Sequence, residues 1–186
     1  MIALLLAVAL TCGPYANQMQ LDQCAADAQS RADAQEIAAL RAAERRTGND
    51  PRFHTSEMRW LDARASACDF AGAMTAGGSI EPMLEAQCNA DAATARVRDI
   101  GFFTGEANPT AAIPSAQSAA EHERIYGLLE LLVTPQQREL LADSEGFFLA
   151  YRDAACSYAK DGCATALTRT RTQQLKDAWL AEPFWK

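Results

Sequence analysis

Histidine is scarce in this sequence. Only His54 and His122 occur, and both lie in polar stretches that we expect to be exposed. No pair of cysteines has the C-x-x-C spacing, which argues against a zinc site. The patterns of a nucleophile elbow, a phosphate-binding loop and an HExxH helix are missing as well. We therefore predict no catalytic residues, no metal, no cofactor and a protein that is not an enzyme.

Basic residues are also in deficit. The 17 lysines and arginines are outnumbered by 24 acidic residues, so the net charge is −7 and the isoelectric point is about 4.8. This balance argues against binding to nucleic acid or to an anionic membrane surface, and it favours a basic partner. The same charge also serves ordinary solubility, so it does not by itself identify a partner.

The only long apolar run stands at the start of the sequence. Residues 1–10 are uncharged and apolar, but ten residues are too few to span a bilayer. We expect residues 1–16 to be a signal peptide, although the usual basic n-region is missing. Cleavage after Ala16 would remove Cys12, whereas an earlier cut would retain it. The mature protein is then exported, with no stable membrane insertion after processing.

The alternation of apolar and polar residues that is typical of strands is absent from the sequence. Instead, one helical sequence pattern occurs twice in the chain. In each copy a ring precedes a cysteine by eight residues and an arginine precedes it by four. A second arginine follows the next cysteine by eight. The copies contain Trp60, Arg64, Cys68, Cys88 and Arg96, then Phe148, Arg152, Cys156, Cys163 and Arg171. Residues four apart share a helical face, so we interpret these rings and arginines as structural.

Six cysteines in an exported chain indicate three disulfides. The repeat favours Cys68–Cys88 and Cys156–Cys163, each joining one helix to the next. Cys12 and Cys24 remain as the third pair, if Cys12 survives processing. Such cross-links would stabilise alanine-rich helical units that bury little area per residue.

Breaks in the helical pattern divide the chain into two units. The first unit spans residues 17–104, a linker rich in glycine and proline spans 105–114, and the second unit spans 115–186. We predict helices at 17–46, from the mid-fifties to Met74, from about Ser79 to Phe103, from Ser115 to Leu132, from Thr134 to about Lys160, and from Cys163 towards Leu180. The fold class is therefore all-α, with two tandem disulfide-stapled three-helix units.

The cysteines of the first copy are twenty residues apart and those of the second only seven. The longer first segment includes a loop that is the candidate site for binding a partner, because a disulfide between its flanking helices would pre-organise it. Its residues are Gly77, Gly78, Ser79, Ile80, Glu81, Pro82 and Met83. The alternative is a plain helix connection in which the glycines serve only the turn geometry.

Several of these segments resemble the lysozyme inhibitor LprI-type N-terminal domain family. The resemblance rests on Gln18–Ala25, Trp60 with Arg64 and Cys68, and Gly77–Met83 with Cys88. The second half resembles the same motif with a shortened loop, through Thr134–Gln137, Tyr151–Cys156, Cys163 and Leu167–Arg171. The second half lacks the Gly-Gly-Ser loop and a counterpart of Cys24. The first half departs from the family at Asp62-Ala63, where the family more often has an aromatic residue before the arginine.

The resemblance implies a small helical protein of bacteria, often periplasmic, with disulfide bonds. For some family members it also implies inhibition of lysozyme. We therefore expect a periplasmic or secreted binding protein whose partner is lysozyme or another cationic cell-wall hydrolase. The competing hypothesis is a non-catalytic structural or envelope-stress module with a different partner in the envelope.

Overall fold

The computed structural model describes residues 17–48, 50–104, 115–157 and 162–181. These ranges contain six α-helices and no strand, so the predicted all-α fold is confirmed. The helices are α1 (Gln18–Thr47), α2 (Pro51–Ala73), α3 (Glu81–Phe103), α4 (Ser115–Leu132), α5 (Pro135–Cys156) and α6 (Cys163–Ala181). The predicted signal peptide at 1–16 and the predicted linker at 105–114 lie outside the described residues.

Side chains at the helix starts set the element boundaries. The predicted capping box at Thr134 is confirmed: its hydroxyl accepts from the Gln137 backbone N–H at 3.3 Å, and Gln137 Oε1 accepts from the Thr134 N–H at 2.9 Å. Asp50 caps α2 by accepting from the Arg52 N–H at 2.8 Å. With Pro51 as its first residue, α2 begins before the predicted mid-fifties.

Two further boundaries differ from the prediction. Helix α3 begins at Glu81, because residues 74–80 form turns. Helix α5 ends at Cys156 and not near Lys160. The Cys156–Cys163 disulfide spans only seven residues, and Gly162 has a φ of 88°. The chain must therefore leave the helix directly after Cys156 to reverse its direction.

Three helix pairs build the molecule. Helix α1 packs on α3, α4 packs on α6, and α2 packs on α5. The last pair is antiparallel, because Gln137 at the start of α5 donates to the Ala73 carbonyl at the end of α2, with Nε2 at 2.8 Å from the oxygen. The α2–α5 pair therefore joins the two halves of the chain along their length.

The two halves share their hydrophobic core. One cluster contains Trp60 and Ala63 of α2 together with Phe148, Tyr151 and Leu167 of the second half. A second cluster surrounds Phe70 of α2 with residues of α4, of the α4–α5 connection, of α5 and of α6, namely Ile125, Leu129, Val133, Leu141 and Leu175. Burial of these apolar side chains against each other stabilises the association of the halves.

Disulfides close the helix connections as predicted. Cys68–Cys88 joins α2 to α3 and Cys156–Cys163 joins α5 to α6, each with a Cα–Cα distance of 5.5 Å. Cys24 is disulfide-bonded as well, but Cys12, its predicted partner, lies outside the described residues. Within the described ranges, no helix combines the length and the apolar character needed to cross a membrane.

Candidate functional site

Residues 74–80 connect α2 to α3 and are called the Gly77 turn. Gly77 has a φ of 79°, a left-handed conformation that residues with a Cβ adopt at a cost. Gly78 donates its N–H to the Thr75 carbonyl at 2.9 Å, and a Cβ on Gly78 would lie 2.9 Å from that same oxygen. Both glycines are therefore required by the backbone of the turn.

The end of the turn is tied to the helix that follows it. Glu81 Oε2 accepts from the Gly77 backbone N–H at 2.9 Å. The Cys68–Cys88 disulfide joins the helices on either side of the turn. These constraints restrict the conformations of the turn before any partner arrives.

The predicted loop residues differ in their exposure. Gly77, Gly78, Ser79 and Pro82 are exposed, whereas Ile80 and Glu81 are half-buried. Met83 belongs to the core and is only 6% exposed. The surface that the loop presents is therefore made of small residues, and the Met83 side chain is not part of it.

A cleft of about 480 Å³ separates the Gly77 turn from the first turn of α5. We call it the Gly77 cleft. Residues 73–78 form one wall, and Thr134, Gln136 and Gln137 form the other. None of these residues is charged or aromatic. Sequence reasoning recognised Thr134–Gln137 as a helix start but missed that it faces the loop, because the pairing of α2 with α5 leaves no local signal.

Arg64 connects three helices of the first half. Its guanidinium donates to Asp33 Oδ1 at 2.6 Å, to Glu36 Oε2 at 3.2 Å and to Asn89 Oδ1 at 2.9 Å. It also lies 5.3 Å from the centre of the Trp60 ring. Burial raises the pKa of the Glu36 carboxyl to about 7, although the positive charge of Arg64 opposes that rise. Arg64 thus links α1, α2 and α3.

Arg96 connects the two halves and is completely buried. It forms an ion pair with Glu57, and its Nη1 donates to Tyr151 Oη at 2.6 Å. Its guanidinium lies 5.7 Å from the Trp60 ring and 5.3 Å from the Tyr151 ring. In the same region, burial raises the pKa of Asp99 to about 6.

Arg171 occupies a comparable buried position in the second half. It donates to Glu145 Oε2 at 3.3 Å and to Ser144 Oγ at 2.6 Å. His122 Nε2 lies 2.7 Å from Glu145 Oε1, and His122 Nδ1 lies 3.2 Å from Thr172 Oγ1. Burial raises the pKa of the Glu145 carboxyl, but the His122 hydrogen bond and the Arg171 charge outweigh it and hold the pKa below its ordinary value.

The expectation of two exposed histidines is therefore wrong for His122, whose side chain is only 12% exposed. His54 is exposed as expected. The charged neighbours of His122 in sequence suggested a solvent-facing stretch, but that position of α4 faces α5 and α6. Arg152 also differs from its counterpart Arg64, since its side chain is 29% exposed and forms an ion pair with the adjacent Asp153.

A small cavity lies at the junction of the two halves. It has a volume of about 50 Å³ and lies beside Trp60, Asp99 and Tyr151, and Asp99 is the one carboxylate that lines it. This volume suits a few water molecules. Among the described residues, no three histidine, cysteine or acidic side chains converge in a way that could hold a metal.

Comparison with known protein families gives a match over the first part of the chain. The family model of lysozyme inhibitor LprI matches residues 12–100. This match includes the Gly77 turn, both cysteines of the first repeat and Arg96, and it ends before α4. No curated protein and no solved structure matches the chain significantly.

Proposed function

We propose that the protein is an exported, non-enzymatic inhibitor of a lysozyme or a related cationic cell-wall hydrolase. The observation that carries this proposal is the match of residues 12–100 to the lysozyme inhibitor family. That stretch contains the rigid, exposed part of the Gly77 turn.

Export is part of the proposal. Disulfides persist in oxidising compartments such as the periplasm and the extracellular space, and the described chain has two complete ones. The apolar run at residues 1–10 suits a signal peptide. We propose a periplasmic or secreted location on this basis.

The mechanism has an electrostatic step and a contact step. The net charge of −7 would steer the protein towards a basic enzyme and raise the association rate. The exposed residues Gly77, Gly78 and Ser79 would then enter the sugar-binding cleft of the hydrolase and exclude its substrate. Because the turn is already ordered, little conformational entropy would be lost on binding.

We further propose that residues 115–186 contain a second, shortened copy of the family unit. Ser56 and Ser144, 88 residues apart, are both buried and donate to the carbonyl three residues earlier, at 2.8 Å and 2.9 Å. The next residues, Glu57 and Glu145, each pair with the buried arginine that follows the second cysteine by eight, Arg96 and Arg171. These equivalences support a duplication, and the missing loop suggests that only the first copy inserts into the hydrolase.

Lysis of bacterial cell walls by purified lysozyme, with and without the oxidised protein, tests the inhibitor role. We expect lysis to slow as the protein approaches a molar ratio of one. Unchanged lysis at a large molar excess would overturn the role. In that case, capture of other envelope proteins from a periplasmic extract would favour the structural or envelope-stress module.

A further inference from the structure

We propose that the Gly77 cleft is a two-walled docking site that accepts an uncharged peptide segment from the rim of the target enzyme. This inference rests on the proposed function and extends it to the second half of the chain. The Gly77 turn would enter the active-site cleft of the hydrolase, and a backbone segment beside that active site would enter the Gly77 cleft. The second half would then complete the binding site.

The two walls are fixed relative to each other. Gln137 Nε2 donates to the Ala73 carbonyl at 2.8 Å, which bridges the walls at the base of the cleft. Met74 packs against the cluster formed by Phe70 and residues of the second half, so the turn is anchored from both sides. The cleft is open without any rearrangement, and its volume of about 480 Å³ falls in the range of ordinary ligand sites.

The chemistry of the lining favours a peptide backbone over other occupants. A charged ligand finds no charged side chain among the lining residues, and a sugar ring finds no aromatic ring on which to stack. Thr134 and Gln136 are exposed at the start of α5 and supply both hydrogen-bond donors and acceptors. A peptide carries one donor and one acceptor on each residue, which matches such a surface.

Exposed leucines lie close to the second wall in the sequence. Leu131 is 81% exposed and Leu132 is 44% exposed, and they immediately precede Val133 and Thr134. Apolar side chains at such exposure contribute little to the fold. They directly precede the second wall in the chain, and exposed apolar side chains of this kind supply the apolar contact area that protein–protein interfaces need around their hydrogen bonds.

The test compares Gln136→Trp with Gln35→Trp, a matched change at an exposed position of α1. The Trp ring at position 136 obstructs the cleft without altering the Gly77 turn. Inhibition constants of native protein and both variants against lysozyme are measured, and thermal melting checks folding. We expect Gln136→Trp to weaken inhibition by about tenfold or more, and Gln35→Trp to stay within about twofold of the native value.

A second pair of variants keeps the test decisive if Gln136→Trp disturbs folding. Leu131→Ser removes an exposed apolar side chain three residues before Thr134 of the cleft wall, and Leu61→Ser removes an exposed apolar side chain on α2 as the control. We expect only Leu131→Ser to weaken inhibition. If native protein inhibits and the cleft variants match their controls, the docking site is wrong and the inhibitor role stands. If native protein does not inhibit lysozyme, the inhibitor role fails and this inference fails with it.

Discussion

The buried arginines show how much a single residue can contribute to the free energy of unfolding. Arg96→Ala would remove the counter-charge of Glu57 and the hydrogen-bond donor that Arg96 supplies to Tyr151 Oη. We expect a loss of about 3–5 kcal/mol in the free energy of unfolding, as for other broken buried pairs. Arg152→Ala is the control, and we expect about 1 kcal/mol or less because that pair is exposed. Urea unfolding measures the free energy of unfolding of both variants. Equal losses would contradict the conclusion that Arg96 forms a buried ion pair that stabilises the fold.

Glu36 makes the stability depend on pH. Its pKa rises to about 7 in the folded protein from 4.5, so the folded state binds the proton more tightly than the unfolded state. The free energy of unfolding therefore falls as the pH rises through this window, by on the order of 3 kcal/mol from this group. Glu36→Gln keeps an acceptor for Arg64 and loses the ionisation, so its stability profile between pH 5 and pH 8 should be flatter.

The comparison of native protein with Glu36→Gln also removes the contribution of Asp99. The raised pKa of Asp99 acts in the same direction, but it is present in both proteins and cancels in the difference. Parallel profiles of the free energy of unfolding, measured by urea titration at each pH, would contradict the pKa assigned to Glu36.

For single residues, the sequence predicts which side chains are structurally important better than it predicts which residues they contact. The repeat made Arg64 and Arg152 equivalent, yet only Arg64 finds two carboxylates, because α1 places Asp33 and Glu36 beside it. Met83 looked like part of a loop surface but lies in the core. Such differences depend on helix packing, which a local pattern does not encode.

The backbone of the Gly77 turn requires glycine at two successive positions. Gly77→Ala forces a Cβ into the left-handed region, and we expect a loss of about 1 kcal/mol. Gly146→Ala is the control, since a Cβ there meets nothing within 4 Å on helix α5. That change should stabilise the protein by about 0.5–1 kcal/mol. Thermal melting of both variants measures these changes in stability. If both substitutions stabilise the protein, the left-handed conformation assigned to Gly77 is contradicted.

The two disulfides should differ in their contributions. Their sequence separations are 20 residues for Cys68–Cys88 and 7 residues for Cys156–Cys163. Loop-closure entropy then gives about 3.3 kcal/mol for the first and about 2.4 kcal/mol for the second. Denaturant unfolding of the double Cys→Ser variants measures both losses, and a larger loss for the shorter loop would contradict this entropic account.

Helices were predictable from local signals, and their ends less so. The Thr134 capping box is fully local, so both the sequence and the structure place the start of α5 there. The end of α5 at Cys156 follows from the short disulfide loop, a tertiary constraint that outweighs the helical character of the next residues. The helix starts at Pro51 and Pro135 are thus set by local caps, whereas the end of α5 depends on a cross-link.

At the scale of the whole molecule, the sequence indicated two repeated units but not how they associate. Trp60 and Phe148 each resemble a core ring of a separate unit, yet both belong to one cluster at the α2–α5 junction. Contacts between residues about 90 positions apart leave no periodic signal along the chain. For the same reason the second wall of the Gly77 cleft became apparent only in the structure.

The central claim is that this acidic, disulfide-held scaffold binds a cationic cell-wall hydrolase. Calorimetric titration of the oxidised native protein into purified lysozyme at low and at physiological salt tests it most directly. The account predicts one-to-one binding with a dissociation constant of about 10⁻⁶ M or tighter, and weaker binding at the higher salt concentration. If no binding is detected at both salt concentrations, with about 10⁻⁴ M of each protein, the central claim is contradicted.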